Sequence, residues 1–344
     1  MKTSKVLLIY TGGTIGMNRN PLTGALEPFD FEHLLSRVPE LAQFQTEIAT
    51  HQFNPPIDSS DMSPRLWTEL ATIISNNYDN YDGFVVLHGT DTMAFTASAL
   101  SFMLEGLKKP VILTGSQLPI GQLRTDGKEN LITSIEIASA KRQDGTAKVP
   151  EVCVYFNSHL MRGNRTTKQS AEEFNAFESF NYPHLADAGV EITYHDEFIH
   201  RPQPNTRLMP FISELDSNVI IFSLFPGVRE DIIRHVVKTP GLRSIVMRTY
   251  GSGNAPQSPW LISALKEAYR RGVVVVNISQ CLQGSVAMGR YDTGFQLQET
   301  GVISGRDGTV ESAVTKLMYL QSRYDDPEQV RRFMRQSLCG EITV

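Results

Sequence analysis

The sequence predicts an α/β fold in two domains, each a parallel-type sheet flanked by helices. Three observations carry this expectation. The chain has 344 residues, and a single domain usually runs to about 100–200. Short apolar runs alternate with segments of helical periodicity, the pattern of strand–helix–strand units. Several of those runs stop at turns rich in glycine and threonine, as buried strands do at a sheet edge.

The elements follow in order. Residues 6–10 are mostly apolar and end at Thr11-Gly12-Gly13, which predicts a buried strand. Ser63-Pro64 reads as an N-cap followed by proline at the first helical position, with Leu66, Leu70, Ile73 and Ile74 at helical spacing. Residues 83–88 form a second strand, ending at Gly89-Thr90-Asp91. Residues 92–106 form an Ala- and Met-rich helix that Gly106 ends. Strands follow at 110–114 and 151–156, with a helix between them at 126–140 carrying Leu131, Ile135 and Ala138. Residues 195–207 are polar, hold Pro202 and Pro204 and have no period, which predicts a linker. The expected organisation is thus a domain over 1–194, a linker over 195–210 and a domain over 211–344. In the last of these, strands are expected at 219–225, 244–249 and 273–278. Helices are expected at 228–238, 258–272 and 309–322, and from Asp326-Pro327 onward.

Composition narrows the function. Hydrophobic residues are 41% and charged residues 20%, which describes an ordinary globular chain rather than a disordered one. The net charge is −5 with no long like-charge run. That argues against a nucleic-acid partner, which calls for a basic patch. No apolar stretch reaches the ~18 residues of a membrane span, so no membrane partner is expected. The cysteines Cys153, Cys281 and Cys339 are odd in number and lack C-x-x-C spacing, which argues against a disulfide framework and a structural zinc site. The N-terminal apolar run is too short for a secretory signal, so a cytoplasmic protein is expected.

In an open parallel sheet, ligands bind beyond the carboxyl ends of strands. Two strands here end in similar hydroxyl-rich turns, Tyr10-Thr11-Gly12-Gly13-Thr14-Ile15-Gly16 and His88-Gly89-Thr90-Asp91-Thr92. Glycine lets backbone approach a ligand closely, and backbone N–H groups there can receive a developing oxyanion. A threonine hydroxyl becomes a nucleophile once a base activates it. Lys168, past the end of the fourth predicted strand, is placed to reach the same sheet edge, with Asp91 to orient it. Each signal has a plainer reading: a phosphate loop or simple turn for Gly-Gly-Thr, an N-cap for Thr90-Asp91, a solvated side chain for Lys168, helix-entry capping for Asp58-Ser59-Ser60-Asp61. Dinucleotide, P-loop, nucleophile-elbow and metalloprotease motifs are absent from the sequence. His195, Asp196, Glu197 and His200 offer metal-ligand types, but their spacing fits no zinc pattern and reads as a solvated loop.

The motifs combine in a recognisable order. Thr11-Gly12-Gly13-Thr14-Ile15-Gly16-Met17, Asp58-Ser59-Ser60-Asp61-Met62, His88-Gly89-Thr90-Asp91-Thr92-Met93 and Gly163-Asn164-Arg165-Thr166-Thr167-Lys168 succeed one another. Together with residues 248–256 and 277–281, they closely resemble the bacterial type I, cytoplasmic L-asparaginases of the asparaginase/glutaminase superfamily. The resemblance implies a larger N-terminal and a smaller C-terminal α/β domain, and hydrolysis of L-asparagine to L-aspartate and ammonia with no metal and no cofactor. It implies Thr14 as nucleophile, with Thr90, Asp91 and Lys168 as a second triad serving proton transfer and the deacylating water. It also implies substrate binding by Asp58, Ser59, Ser60, Thr90 and Asp91. The residue types suit a small zwitterion, which needs a carboxylate for its ammonium and hydroxyl or N–H donors for its carboxylate.

One departure stands out. The family usually carries a tyrosine in the loop after the nucleophile, and this sequence has Ala25 there, with no tyrosine between Thr14 and Asp58. Glu27 shares that loop without an assigned role. Some type I relatives also bind asparagine at a regulatory site; the matching positions are Thr167, Arg248 and Cys281, against the plainer reading of an ion-pairing arginine and an inert thiol. The resemblance further implies a homodimer or homotetramer.

Overall fold

The computed structural model describes residues 3–19, 26–28, 38–289 and 292–344, so Ala25 lies outside the described residues. Two compact units divide the chain, 1–212 and 213–344. Each is an α/β unit, as the sequence predicts.

The first unit opens with β1 (Ser4–Tyr10), whose residues 6–10 are almost wholly buried. A hairpin of β2 (Met17–Arg19) and β3 (Leu26–Pro28) follows the turn at its end. Next come β4 (Thr46–Gln52), α1 (Pro64–Asn76), β5 (Gly83–Leu87), α2 (Met93–Met103) and the short β6 (Leu104–Glu105). Then follow β7 (Val111–Thr114), α3 (Gly127–Ser139), β8 (Val152–Phe156) and β9 (His159–Arg162). A ribbon of β10 (Thr167–Lys168) and β11 (Phe177–Glu178) precedes β12 (Ala186–Ala188) and β13 (Ile192–Tyr194). Last, β14 (Met209–Pro210) pairs with β6.

The main sheet runs β13-β12-β9-β8-β7-β5-β1-β4. From β4 to β8 every pair is parallel; β9, β12 and β13 extend it antiparallel. β5, β7 and β8 are buried along their whole length, because helices cover a parallel sheet on both faces. Each fully buried Val, Leu, Ile or Phe there is worth ~2 kcal/mol. The chain leaves β1 toward β4 on one side, then returns to β5 on the other. The carboxyl ends of β1 and β5 therefore flank the topological switch point, where such sheets open a crevice.

Three expectations need adjustment. In α1 the buried face is Trp67, Leu70, Ala71 and Ile74, while Leu66 and Ile73 are only half-buried; the face is shifted because Trp67 takes the inward position. Ser63 sits at the N-cap position, yet its side chain makes no capping hydrogen bond. The stretch 195–200 is solvated at Asp196, Glu197 and His200 but anchored between them, where Ile199 is 5% exposed. The Phe198 carbonyl accepts from the Arg162 guanidinium at 2.9 Å, and the His200 N–H donates to Glu151 at 2.5 Å. The Arg162–Glu151 pair is itself buried, at 2.6 Å. The acidic and imidazole groups of 195–200 do not converge. Asp196 pairs with Arg201 at 2.8 Å, whereas His195 faces Asp187.

The second unit holds β15 (Val219–Ser223), α4 (Glu230–Val237), β16 (Ser244–Thr249), α5 (Pro259–Arg270), β17 (Val274–Ser279), α6 (Asp292–Glu299), β18 (Ile303–Ser304), α7 (Val310–Arg323) and α8 (Pro327–Met334). Its four strands pair in sequence order, all parallel. Among the described residues no helix is long and apolar enough to cross a membrane.

Candidate active site

Three loops meet at the switch point, and glycine is what lets them meet. A Cβ added to Gly12 would lie 2.0 Å from the Ile57 carbonyl oxygen. One added to Gly13 would lie 2.5 Å from the Gly89 Cα, and one added to Gly89 would lie 2.5 Å from the Ser59 hydroxyl. Gly13 also has φ +93°, a region closed to side-chain-bearing residues except at a cost. The turn after β1, the turn after β5 and the 57–61 segment are thus in backbone contact.

Hydrogen bonds bind the same three segments. The Thr11 N–H and hydroxyl both donate to the Leu87 carbonyl at 3.0 Å. The Ile57 N–H donates to the Thr11 carbonyl at 2.7 Å, and the Thr92 hydroxyl donates to the Ser59 carbonyl at 2.7 Å. Thr14 opens a 3-10 turn directly after Gly13, half-buried. Asp58 caps the next 3-10 turn, accepting from the Ser60 N–H and hydroxyl at 2.9 Å. Those two donors hold its carboxyl below the usual carboxylate range.

Thr90, Asp91 and Lys168 come together directly. The Lys168 ammonium donates to the Thr90 hydroxyl at 2.9 Å and to the Asp91 carboxylate at 2.7 Å. Lys168 reaches them from β10, which β11 holds by pairing Lys168 with Phe177. The Thr90 hydroxyl in turn donates to Gln117 Oε1 at 3.4 Å. Gln117 follows β7, and its backbone N–H donates to Asp126 at 3.0 Å. Sequence reasoning missed Gln117, although its place after a parallel strand is the same signal that pointed to Thr14 and Thr90.

A second set of missed residues lies beneath Thr90. His88 is 1% exposed, and its Nδ1 faces the Gly89 carbonyl at 2.7 Å. A carbonyl only accepts, so Nδ1 carries the proton. Burial lowers the His88 pKa from 6.5 to about 4, so the ring is neutral and Nε2 is an acceptor. The Thr96 hydroxyl, 2.9 Å away, donates to Nε2, and Trp67 Nε1–H donates to Thr96 at 2.9 Å. This chain fixes the Gly89 carbonyl and with it the plane of the Gly89–Thr90 peptide.

The remaining candidates fall elsewhere. Thr167 lies in the first unit, opposite Glu178. Arg248 and Cys281 lie in the second unit. Arg248 is on β16, and among the described residues its Nε is buried without a hydrogen-bond partner. Cys281 is exposed just past β17, its N–H donating to Ser279 at 2.9 Å. The loop 251–254 is tied down beside them: Ser279 donates to the Gly251 carbonyl at 2.6 Å and Asn277 to the Gly253 carbonyl at 3.1 Å.

Two stability measurements check this reading. Burial depresses the folded-state pKa of His88, so its stabilising contribution is complete above about 6.5 and is lost as pH falls toward about 4. Urea unfolding of the unaltered chain should therefore lose up to about 3 kcal/mol more than His88→Gln across that window; parallel pH profiles would contradict the buried neutral ring. Gly145 has φ +82° with open space around it, so Gly145→Ala should cost only about 1–2 kcal/mol of backbone strain. Gly13→Ala adds a collision with backbone, so it should cost at least about 2 kcal/mol more; equal costs would deny the close approach.

Residues 5–200 match the family model for the asparaginase N-terminal domain, and residues 218–334 match that for the glutaminase/asparaginase C-terminal domain. The chain is 43% identical over 350 residues to L-asparaginase 1 of Escherichia coli (strain K12), covering 100% of this chain and 99% of that one. Among solved structures it is similar to L-asparaginase I from Vibrio cholerae O1 biovar eltor str. N16961, with a TM-score of 0.89, 41% identity and 100% of both chains covered. It is also similar to the thermostable L-asparaginase from Thermococcus kodakarensis, with a TM-score of 0.88, 34% identity and 99% of each chain covered. On this evidence the chain belongs to the asparaginase family of amidohydrolases.

Proposed function

We propose that the protein hydrolyses L-asparagine to L-aspartate and ammonia through an acyl-enzyme on Thr14. The observation that supports this most is the Thr90–Asp91–Lys168 cluster, joined at 2.7 and 2.9 Å in contact with the loop that carries Thr14. In this reading the carboxylate of Asp58, with Asp91, receives the substrate ammonium. Ser59 and Ser60, with Thr90, offer donors to the substrate carboxylate. Fixing both ends of a small zwitterion brings its amide carbon to Thr14, which replaces a bimolecular encounter by a positioned one.

The Thr14 hydroxyl oxygen then attacks the side-chain amide carbon. The tetrahedral intermediate collapses with loss of ammonia and leaves an ester on Thr14. Thr90, Asp91 and Lys168 serve proton transfer and orient the water that hydrolyses the ester, releasing aspartate. Ala25 stands where the family's tyrosine is expected, so either a group other than that tyrosine activates Thr14 or the loop closes differently.

Asparagine also binds as an activator at Thr167, Arg248 and Cys281; the buried, unpartnered Arg248 Nε is a donor suited to a carboxylate. The enzyme is a cytoplasmic homodimer or homotetramer, with a catalytic domain over 1–194 and a C-terminal domain over 211–344 joined by 195–210.

Ammonia release from a panel of amides, run across substrate concentration, tests the proposal. Asparagine should exceed glutamine in kcat/KM, and the asparagine curve should be sigmoidal. Thr14→Ala should lower kcat by at least about 1000-fold with the fold intact. Full activity in that variant would overturn the nucleophile. A hyperbolic curve unchanged in Cys281→Ala would overturn the regulatory site. An asparagine-dependent rise in Tm with no ammonia from any amide would make the protein a binder instead.

A further inference from the structure

The antiparallel edge of the first sheet gathers three imidazoles and two carboxylates that the reaction does not use. The register of β9 and β12 sets His159 opposite Asp187, and His159 Nδ1 lies 2.7 Å from Asp187 Oδ1. His184, just before β12, lies against His159 with ring centroids 4.2 Å apart and the rings tilted by 32°. Its Nδ1 lies 3.4 Å from Asp187 Oδ1, and its Nε2 lies 2.8 Å from Glu178 Oε1. His195, just after β13, points Nε2 at Asp187 Oδ2, 2.8 Å away.

We propose that His159, His184 and Asp187 bind a divalent ion of the zinc class, with Glu178 and His195 orienting the ligands. One ligand atom from each of the three lies within 4.8 Å of the others. A tetrahedral ion with bonds of about 2.0–2.1 Å sets its ligand atoms about 3.3–3.4 Å apart. The His184 Nδ1–Asp187 Oδ1 spacing of 3.4 Å already has that value. The His159 Nδ1–Asp187 Oδ1 contact of 2.7 Å needs to open by about 0.6 Å. All three side chains are partly open to solvent, His184 at 24% and Asp187 at 45% exposure, so an ion can enter and keep a water as fourth ligand.

The surrounding groups are the stronger argument. A metal-bound imidazole is oriented by donating its other N–H to a carboxylate, and a ligating carboxylate is itself hydrogen-bonded. With Nδ1 on the ion, the Nε2–H of His184 donates to Glu178; with Oδ1 on the ion, Asp187 Oδ2 accepts from His195 Nε2–H. Both partners are in place before the ion arrives. An imidazole–imidazole–carboxylate set suits zinc-class ions rather than calcium or magnesium, which take oxygen ligands.

The site is also wired to the ribbon below it. Glu178 pairs with Thr167 in the ladder that carries Lys168. A bound ion therefore clamps β11, and β11 holds Lys168.

The test is a titration of the tag-free full-length chain with Co²⁺, followed by its visible absorption, and with Zn²⁺ by calorimetry. Neither readout depends on turnover, so its outcome is separate from that of the proposed reaction. One ion per chain with tetrahedral cobalt bands is expected. His184→Ala should weaken binding by about 100-fold or more. Glu178→Gln should keep the stoichiometry and weaken binding about 10-fold. His159→Asn is measured in parallel, and the far-UV circular dichroism of each ion-free variant should match the unaltered chain. His159→Asn should weaken binding as His184→Ala does; no ion bound by the unaltered chain, or an affinity in either variant equal to that of the unaltered chain, would overturn the proposal.

Discussion

Backbone touching backbone at the switch point is the constraint on which the candidate site depends. Gly13 and Gly89 come from turns at the ends of two adjacent parallel strands, and there is no room for a side chain between them. Gly12 makes the same approach to Ile57, and Gly89 leaves room for the Ser59 side chain. Side chains at these positions would hold the turns apart. Because they are absent, Thr14, Ser59 and Thr90 each stand next to a contact set by close-packed main chain. Backbone positions are stiffer than loop side chains, and catalysis gains most from groups held before the substrate arrives.

The polar groups under the site work in the same direction. Trp67, Thr96 and His88 form one donor-to-acceptor chain that ends on the Gly89 carbonyl. Each member is buried and satisfied, so no member turns over without leaving a buried group unpaired, at a cost of about 1–3 kcal/mol. Lys168 is held on a two-stranded ribbon and reaches Thr90 and Asp91 together. The Lys168–Asp91 contact has one largely exposed partner, at 67% exposure, so it orients more than it stabilises.

Much of this was legible in the sequence, and what was not has physical reasons. Strands β5, β7 and β8, and β1 from Val6 onward, are buried on both faces, so their residues are almost all apolar and stand out. β4 lies at the sheet edge with a mixed, largely polar pattern, and β12 and β13 have three residues each; none of these leaves a periodic signal. The joining of Thr90, Asp91 and Lys168 was foreseeable because each follows a strand that the sequence predicts, at 83–88 and 151–156. The His88 chain was not, since its members are 8 and 29 residues apart and read separately as core. The His159–His184–Asp187 cluster escaped for a similar reason. Strand register assembles it, and the imidazole-rich stretch at 195–200 that drew notice contributes only His195.

The central claim is that close-packed turns present Thr14 as the residue acylated by the substrate amide. Trapping the covalent intermediate tests it most directly. Lys168→Met removes the amine beside Thr90 and should slow deacylation. Rapid acid quench of that variant with asparagine, followed by peptide mass spectrometry, should reveal one aspartyl group on the peptide that carries Thr14. The same group on Thr90, or ammonia release with no acylated peptide at any quench time, would contradict the account.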